Sequence, residues 1–323
     1  MKRLALALLL VVSATAVHAQ KGNMGIAVGS TLFFGDLGGA NAIGRPLFFD
    51  LERSLIKPVG TLFYHYQYSR RLAFRLQGCY TAISGDDKLI TPSDLYAAEW
   101  FRWYRNLNFQ SKLWEISGQM ELYVTRYMPG SMRWRTGPYL VGGGGVFHMN
   151  PKALYNGSLV ALQPLRTEGQ GFPGTGRKVY SLYQPTVLIG AGIRYNVTTD
   201  FTIGFEYVDR KTFTDYMDDV STEYVSQADF DNFFANDPAK AALAYELSMR
   251  SDEIDPDGVY AHVTAPGQQR GDPKNLDHYI FAQFYFAFVP NQKKIKPKSQ
   301  LKCMKWGGEE GPGAKGGNYR YRR

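Results

Sequence analysis

The segment from Trp114 to Val124 alternates between apolar and polar residues at every position. The apolar series runs from tryptophan through isoleucine, glycine, methionine and leucine to valine. The intervening series is Glu115, Ser117, Gln119, Glu121 and Tyr123. Successive side chains of a β-strand point to opposite faces, so this period of two predicts a strand with one apolar face and one partly charged face. Such a strand needs apolar surroundings on one side and an enclosed polar space on the other.

Seven further segments have the length and composition of strands. With the first they make eight candidates: 24–36, 59–68, 72–84, 107–126, 133–148, 183–196, 201–209 and 278–289. Alternation is again clear in 72–84 and in 201–209, where large apolar residues share one face. The chain therefore has the pattern of an all-β protein.

The connections between these candidates alternate between short and long. The short ones are 69–71, 127–132 and 197–200, and the long ones are 37–58, 85–106, 149–182 and 210–277. Short periplasmic turns that alternate with long extracellular loops are typical of outer-membrane barrels with an even number of strands. We therefore predict an eight-stranded antiparallel transmembrane up-and-down β-barrel. Both chain ends then lie on the periplasmic side.

The two ends of the sequence differ from its body. Residues 1–19 have a charged start at Lys2 and Arg3, an apolar core and the small-residue site Val17-His18-Ala19, which together predict a signal peptide. Residues 20–289 form the predicted barrel. Residues 290–323 hold ten Lys or Arg and two Glu, which equals the net charge of +8 of the whole chain. This basic tail is expected in the periplasm, and the predicted export excludes a nucleic-acid partner.

The last long loop is expected to contain helices. Asp237-Pro238 resembles an N-cap and a first-turn proline ahead of a helix over 239–249, and a shorter helix is expected over 226–234. Between residues 211 and 275 the loop is acidic, with thirteen Asp or Glu against five Lys or Arg.

Five charged residues fall on the inward faces of the predicted strands. They are Arg75, Glu115, Glu121, Arg194 and Glu206. An eight-stranded barrel is filled by side chains, so these charges must be buried and paired with each other. Structural pairing is favoured over a role in proton or solute transport.

Two motifs were weighed as binding sites. The glycines of 169–174 fit a dinucleotide-binding pattern, but the segment has no strand–helix context, which favours a plain loop. Carboxylates can bind cations, but the spacing of Asp215, Asp218 and Asp219 is not that of a calcium loop. Caps and turn acceptors are favoured for them.

His148 is the candidate for an enzymatic site at the rim of the barrel. Asp215 or Ser221 would have to approach it, and nothing in the spacing requires this. A hydrogen-bonding role at the base of a loop is favoured. We predict no enzymatic activity, no cofactor and no metal.

The two cysteines and the tail lead to a prediction about partners. Cys79 lies on an inward face and is expected to be a buried free thiol, whereas Cys303 in the tail is expected to form an intermolecular disulfide. The tail is either a solvated basic end or a docking segment for a periplasmic partner. In the second case its contact residues include aromatic anchors and cations, namely Trp306, Tyr319, Tyr321, Lys302, Lys305, Arg320 and Arg322.

Several segments resemble the PorG-type outer-membrane protein of the type IX secretion system. They are Gly35-Asp36-Leu37-Gly38, Trp114-Glu115, Gly137-Pro138-Tyr139-Leu140, 146–153, 162–171, Tyr180-Ser181-Leu182 and 212–222. The resemblance covers nearly the whole predicted barrel and is more specific at the loop bases than in the strands.

This resemblance implies an eight-stranded barrel that anchors a periplasmic PorK–PorN ring assembly to the outer membrane. It implies no catalysis and no cofactor. The alternatives are an outer-membrane enzyme with a site at the rim, and a small barrel for adhesion or envelope stability. The expected surroundings in every case are outer-membrane lipids.

Overall fold

The computed structural model describes residues 22–37, 55–92 and 94–290 of the 323-residue chain. Eight long strands dominate this part of the molecule. They are β1 (Gly22–Phe34), β2 (Lys57–Gln67), β3 (Leu72–Asp86), β4 (Asn108–Tyr123), β5 (Thr136–His148), β8 (Tyr183–Asn196), β9 (Phe201–Thr212) and β10 (His278–Phe288). A short hairpin of β6 (Lys152–Tyr155) and β7 (Ser158–Ala161) lies between β5 and β8.

The eight long strands form a closed antiparallel barrel. Each of them pairs with its neighbour among these eight in sequence, and β1 pairs with β10 to close the ring. Closure leaves no unpaired edge among these strands, which is the way a sheet satisfies its backbone in a membrane. The predicted fold class is therefore confirmed, and β8 has the predicted bounds.

The outward faces form an apolar surface around the barrel. The outward apolar side chains of β4, from Trp114 to Leu122, are between 38% and 57% exposed. Ile189 of β8 and Phe284 of β10, on the same outward face, are 66% and 58% exposed. An apolar exterior on a closed barrel is the architecture of outer-membrane proteins.

The long connections meet at one end of the barrel and the short turns at the other. We call 35–37, 87–107, 149–182 and 213–277 the loop cover, within the described ranges. Its apolar side chains share one core with the adjacent part of the lumen, from Leu37 in the first loop to Phe147 in β5 and Phe230 in the last loop. The loop cover is thus packed onto the barrel by hydrophobic burial.

Three α-helices lie in the loop cover: α1 (Ala98–Arg105), α2 (Gln227–Phe233) and α3 (Pro238–Ser248). Single 3₁₀ turns span Asp87–Leu89, Gln163–Leu165, Ser251–Glu253 and Ala261–Val263. The sequence predicted α2 and α3, and the side chains of Ser226 and Asp237 cap them as expected. It missed α1 and the β6–β7 hairpin.

The β6–β7 hairpin has a turn signal in its sequence. Asn156 and Gly157 connect its strands with φ angles of 47° and 76°. Asn-Gly with two positive φ values is the preferred two-residue turn between antiparallel strands. Over the residues described, no helix has the length and hydropathy needed to cross a membrane.

Candidate functional site

The centre of the lumen is occupied by Glu121 and the side chains that bind it. Arg194 donates to Oε1 at 2.7 Å, and Nη1 of Arg75 lies 3.3 Å from the same oxygen. The Tyr123 hydroxyl donates to Oε2 at 2.5 Å, and Nε2 of His65 lies 3.2 Å away. All five residues are almost completely buried. Four partners around one carboxylate compensate the cost of removing its charge from water.

Glu206 forms the second centre. Arg75 donates to both of its oxygens at 2.6–2.7 Å, so this arginine bridges the two carboxylates. The hydroxyls of Tyr139 and Tyr285 donate to Glu206 at 2.6 and 2.8 Å. Arg75 also donates to the side-chain oxygen of Gln119. The charges of β3, β4, β8 and β9 thus form one network across the barrel.

A separate pair lies nearer the loop cover. Arg210 donates to Glu115 at 2.9 Å and stacks on Phe281, and the Tyr279 hydroxyl donates to Glu115 at 2.7 Å. The sequence analysis missed Arg210 because the predicted strand ended at residue 209. Its inward position continues the alternation of Glu206 and Val208, which was the available signal.

The structure brings all five sequence-predicted lumen charges into these two groups. Each is paired with an opposite charge, and large side chains fill the space between the described strands. The lumen contacts are ion pairs and hydrogen bonds between side chains of different strands.

The acidic motif 215–219 is a junction between loops. Asp218 accepts hydrogen bonds from the backbone N–H of Leu37 at 2.8 Å and of Val220 at 3.0 Å. Asp219 accepts from the hydroxyl of Tyr180 at 2.6 Å and from that of Thr167. Both carboxylates act as turn and loop acceptors, the role that the sequence favoured. They connect the first, third and last long loops.

Glu168 is the second junction. Its carboxylate accepts from the backbone N–H of Ser221 at 2.8 Å, from both the N–H and hydroxyl of Thr222, and from Arg270 at 2.9 Å. It is completely buried. The neighbouring segment 169–174 is a series of turns with positive φ at its three glycines. The glycines therefore serve turns of a loop, as predicted.

Asp218 and three further carboxyl groups, those of Asp36, Asp215 and Asp277, lie close together beneath these loops. Burial raises the pKa of Asp215 and of Asp218 to about 8, and the neighbouring Asp36 adds to both shifts. Burial and the charges of Asp218 and Asp215 raise the pKa of Asp277, and burial raises that of Asp36. Within the described ranges, no three His, Cys, Asp or Glu side chains have the arrangement of a metal site. With pKa values of about 8, Asp215 and Asp218 are largely protonated at neutral pH, which reduces the cost of burying them side by side.

Raising the pH from about 5 to about 9 is expected to loosen the loop cover. Burial raises the pKa of Asp215 and of Asp218 from 3.8 to about 8, so the folded state binds the extra protons. Their contribution is fully present below pH 4 or so and is lost as the pH rises through about 8, an effect on the order of several kcal/mol. Hydrogen exchange of residues 213–277 measures it. Asp215→Asn should flatten the dependence, whereas protection that increases with pH would contradict this origin.

His148, the candidate for an enzymatic site at the rim, lies at the end of β5. Its ring lies on the outer face, 5.5 Å from the ring of Trp114 and 4.8 Å from that of Tyr183. Asp215 and Ser221, the residues that would have to approach it, are buried in the loop cover. The contacts described for the imidazole are aromatic, and the favoured hydrogen-bonding role stays a prediction. The ring belongs to the band of aromatic residues at the boundary of the apolar surface.

A cleft of about 650 Å³ opens on the surface of the loop cover. It is lined by Tyr96 and Phe101 on one side, by Arg102 from α1, and by Gln268 and Gln269 from the last loop. The volume is within the range of small-molecule sites.

Cys79 is a buried free thiol beside the Glu115–Arg210 pair, as predicted. Cys303 and the other tail residues named as docking candidates lie outside the described residues. The predicted signal peptide also lies outside them.

Comparison with known proteins adds the family. Residues 2–239 match the family described as a domain of unknown function, DUF6089. The chain belongs to the DUF6089 family. No curated protein matches the sequence.

Two solved structures are similar to this DUF6089 member. One is Ail, the attachment invasion locus protein of Yersinia pestis, with 8% identity over 83% of this chain and 98% of that chain, at a TM-score of 0.33. The other is the N-terminal β-barrel domain of OprF from Pseudomonas aeruginosa, with 11% identity over 83% and 97%, at a TM-score of 0.31.

Proposed function

We propose that this DUF6089 member is a non-enzymatic outer-membrane scaffold of the type IX secretion system, which holds a periplasmic PorK–PorN-like ring complex at the membrane. The apolar exterior of the closed barrel supports the location, because only lipid satisfies so large an exposed apolar surface. The segments that resemble PorG-type proteins support the assignment of this protein to the type IX secretion system.

The filled lumen is the observation that carries the scaffold role. Arg75, Arg194 and Arg210 are each bound to a carboxylate and buried among aromatic rings. Side chains held in this way brace the wall, so the parts of the chain available to a partner are the two ends of the barrel.

The short-turn end holds the start of the first described strand and the end of the last. Gly22 at the start of β1 pairs with Tyr66, next to the β2–β3 turn, and Phe288 at the end of β10 pairs with Phe201, next to the β8–β9 turn. The tail segment 290–323 follows this last strand in the sequence. The cations and aromatic residues of the segment, including Trp306, are suited to a protein surface.

Deletion of 290–323 is expected to abolish recovery of the ring complex with the barrel and to reduce secretion of type IX substrates. The barrel ends at Phe288, so it should remain inserted. Affinity purification from the native envelope and assay of secreted substrates provide the two measurements, and heat-modifiable gel migration reports insertion.

Substitutions within the tail refine this test. Joint replacement by Gln of the four tail cations Lys302, Lys305, Arg320 and Arg322 should weaken recovery of the ring complex. Cys303→Ser should remove any disulfide adduct on non-reducing gels. Unchanged secretion and ring recovery after the deletion would sink the scaffold proposal. An envelope defect without a secretion defect would instead favour a general structural barrel.

A further inference from the structure

Four arginines from two turns gather at the short-turn end of the barrel. The guanidinium carbons of Arg70, Arg126 and Arg133 lie 5.7, 5.5 and 5.2 Å from the ring centre of Trp134. Arg71 follows Arg70 in the same turn. We call these five residues the turn-end arginine patch. The sequence pattern does not reveal this patch, because the β2–β3 and β4–β5 turns are about 60 residues apart and become neighbours only when β3 pairs with β4.

The patch has positive charge without compensation from nearby acids. Its four arginines are exposed, and none takes part in an ion pair among the described residues. Guanidinium groups placed around one indole repel each other, and an anion between them relieves that repulsion. The lumen, by contrast, pairs each of its arginines with a carboxylate.

The indole also prepares the guanidinium groups for binding. Each contact with Trp134 is a cation–π contact, which uses none of the hydrogen bonds that a guanidinium can donate. The planar edge of a guanidinium matches two oxygens of a phosphate group, which an ammonium group cannot do with the same geometry. The arrangement is therefore suited to phosphate more than to a diffuse counterion.

The position of the patch identifies the source of the phosphate. Leu122 and Val124 are 48% and 66% exposed on the outer face and directly precede Arg126 in the chain. Tyr68, two residues before Arg70, is also largely exposed. The patch therefore lies where the apolar surface ends, at the depth of lipid headgroups, where aromatic and basic residues meet the bilayer.

We propose that the turn-end arginine patch binds the phosphate of an anionic phospholipid in the leaflet next to the short turns. An acidic protein segment would also find positive charge here, but it would not use the adjoining apolar surface of Leu122 and Val124. A phospholipid fits both, since its acyl chains lie along that surface. The inference concerns the barrel and its lipid, and it is independent of the role in secretion.

The test compares the unmodified full-length protein with its variants. Each is placed in nanodiscs of phosphatidylcholine that contain a minor fraction of phosphatidylglycerol. Native mass spectrometry counts the phosphatidylglycerol molecules that remain bound on release. The triple variant R70Q/R126Q/R133Q should lower this enrichment by roughly tenfold or more. The variant R70K/R126K/R133K keeps the charge but loses the planar edge, and should have an intermediate enrichment.

A matched control removes the same charge from the loop cover. The variant K178Q/K240Q/K274Q should keep the enrichment of the unmodified protein, and gel migration before and after heating shows that each variant is folded. Equal enrichment in the arginine variant and the unmodified protein would overturn the proposal, as would equal loss in the lysine control. Displacement of phosphatidylglycerol by inorganic phosphate at matched concentration would also overturn it, because the site would then need no lipid.

Discussion

Glu121→Gln is expected to lower the free energy of unfolding of the barrel by about 3–5 kcal/mol. The carboxylate is fully buried and receives contacts from Arg194, Arg75, His65 and Tyr123. A neutral amide of the same size leaves Arg194 without its carboxylate in a desolvated layer. The NH₂ group of the amide also takes the place of a carboxylate oxygen that accepted hydrogen bonds. It then points at other donors, which adds the cost of unmade hydrogen bonds.

Urea unfolding in detergent micelles, followed by tryptophan fluorescence, measures this loss. The control is Gln77→Met, because Gln77 is equally buried in the lumen but its side chain has no hydrogen-bond partner among the described residues. Its replacement should be close to neutral. The double variant of Glu121→Gln with Arg194→Met should lose less than the sum of the single variants. A single-variant loss below about 1 kcal/mol would show that Glu121 is not the centre of the network.

Glu168→Gln is expected to destabilise the loop cover by about 2–4 kcal/mol while the barrel stays folded. The carboxylate accepts two backbone N–H groups, a hydroxyl and the guanidinium of Arg270. An amide cannot accept all of these, and Arg270 then loses its ion-pair partner in a buried position. The amides of Ser221 and Thr222 should exchange with solvent much faster.

Hydrogen exchange resolved by segment separates this effect from unfolding of the barrel. Residues 149–182 and 213–277 should lose protection, and the strands should keep theirs. The matched control is Glu223→Gln, since Glu223 pairs with Arg177 on the surface and such pairs contribute at most about 1 kcal/mol. Equal effects of the two substitutions, or loss of protection that begins in the strands, would contradict the role assigned to Glu168.

The strands were predictable because their signal is local. Alternation at a period of two depends only on which face of the strand meets lipid. In β4 and β8 each residue type indicates the face on which that residue lies. Turn lengths added an independent signal. The inward charges followed from the same alternation, so Arg75, Glu115, Glu121, Arg194 and Glu206 were located before any tertiary contact was known.

The partners of these charges were not predictable. Arg75 contacts Glu206 across 131 residues of sequence, and Glu115 pairs with Arg210 across 95. Strand register and barrel closure determine such pairs, and neither is encoded in one segment. The same limit applied to His148, whose stacking on Trp114 depends on the register between β4 and β5.

The sequence by itself determined that this protein is an eight-stranded barrel with an apolar exterior and a charged lumen, because each strand carries its own two-faced pattern. The tertiary structure decided what gathers at the two ends. It brought Asp219, Glu168 and Arg270 together in the loop cover, and Arg70, Arg126 and Arg133 around Trp134 at the turns. These groups come from segments far apart in the chain, and only the pairing of strands and the packing of loops make them neighbours.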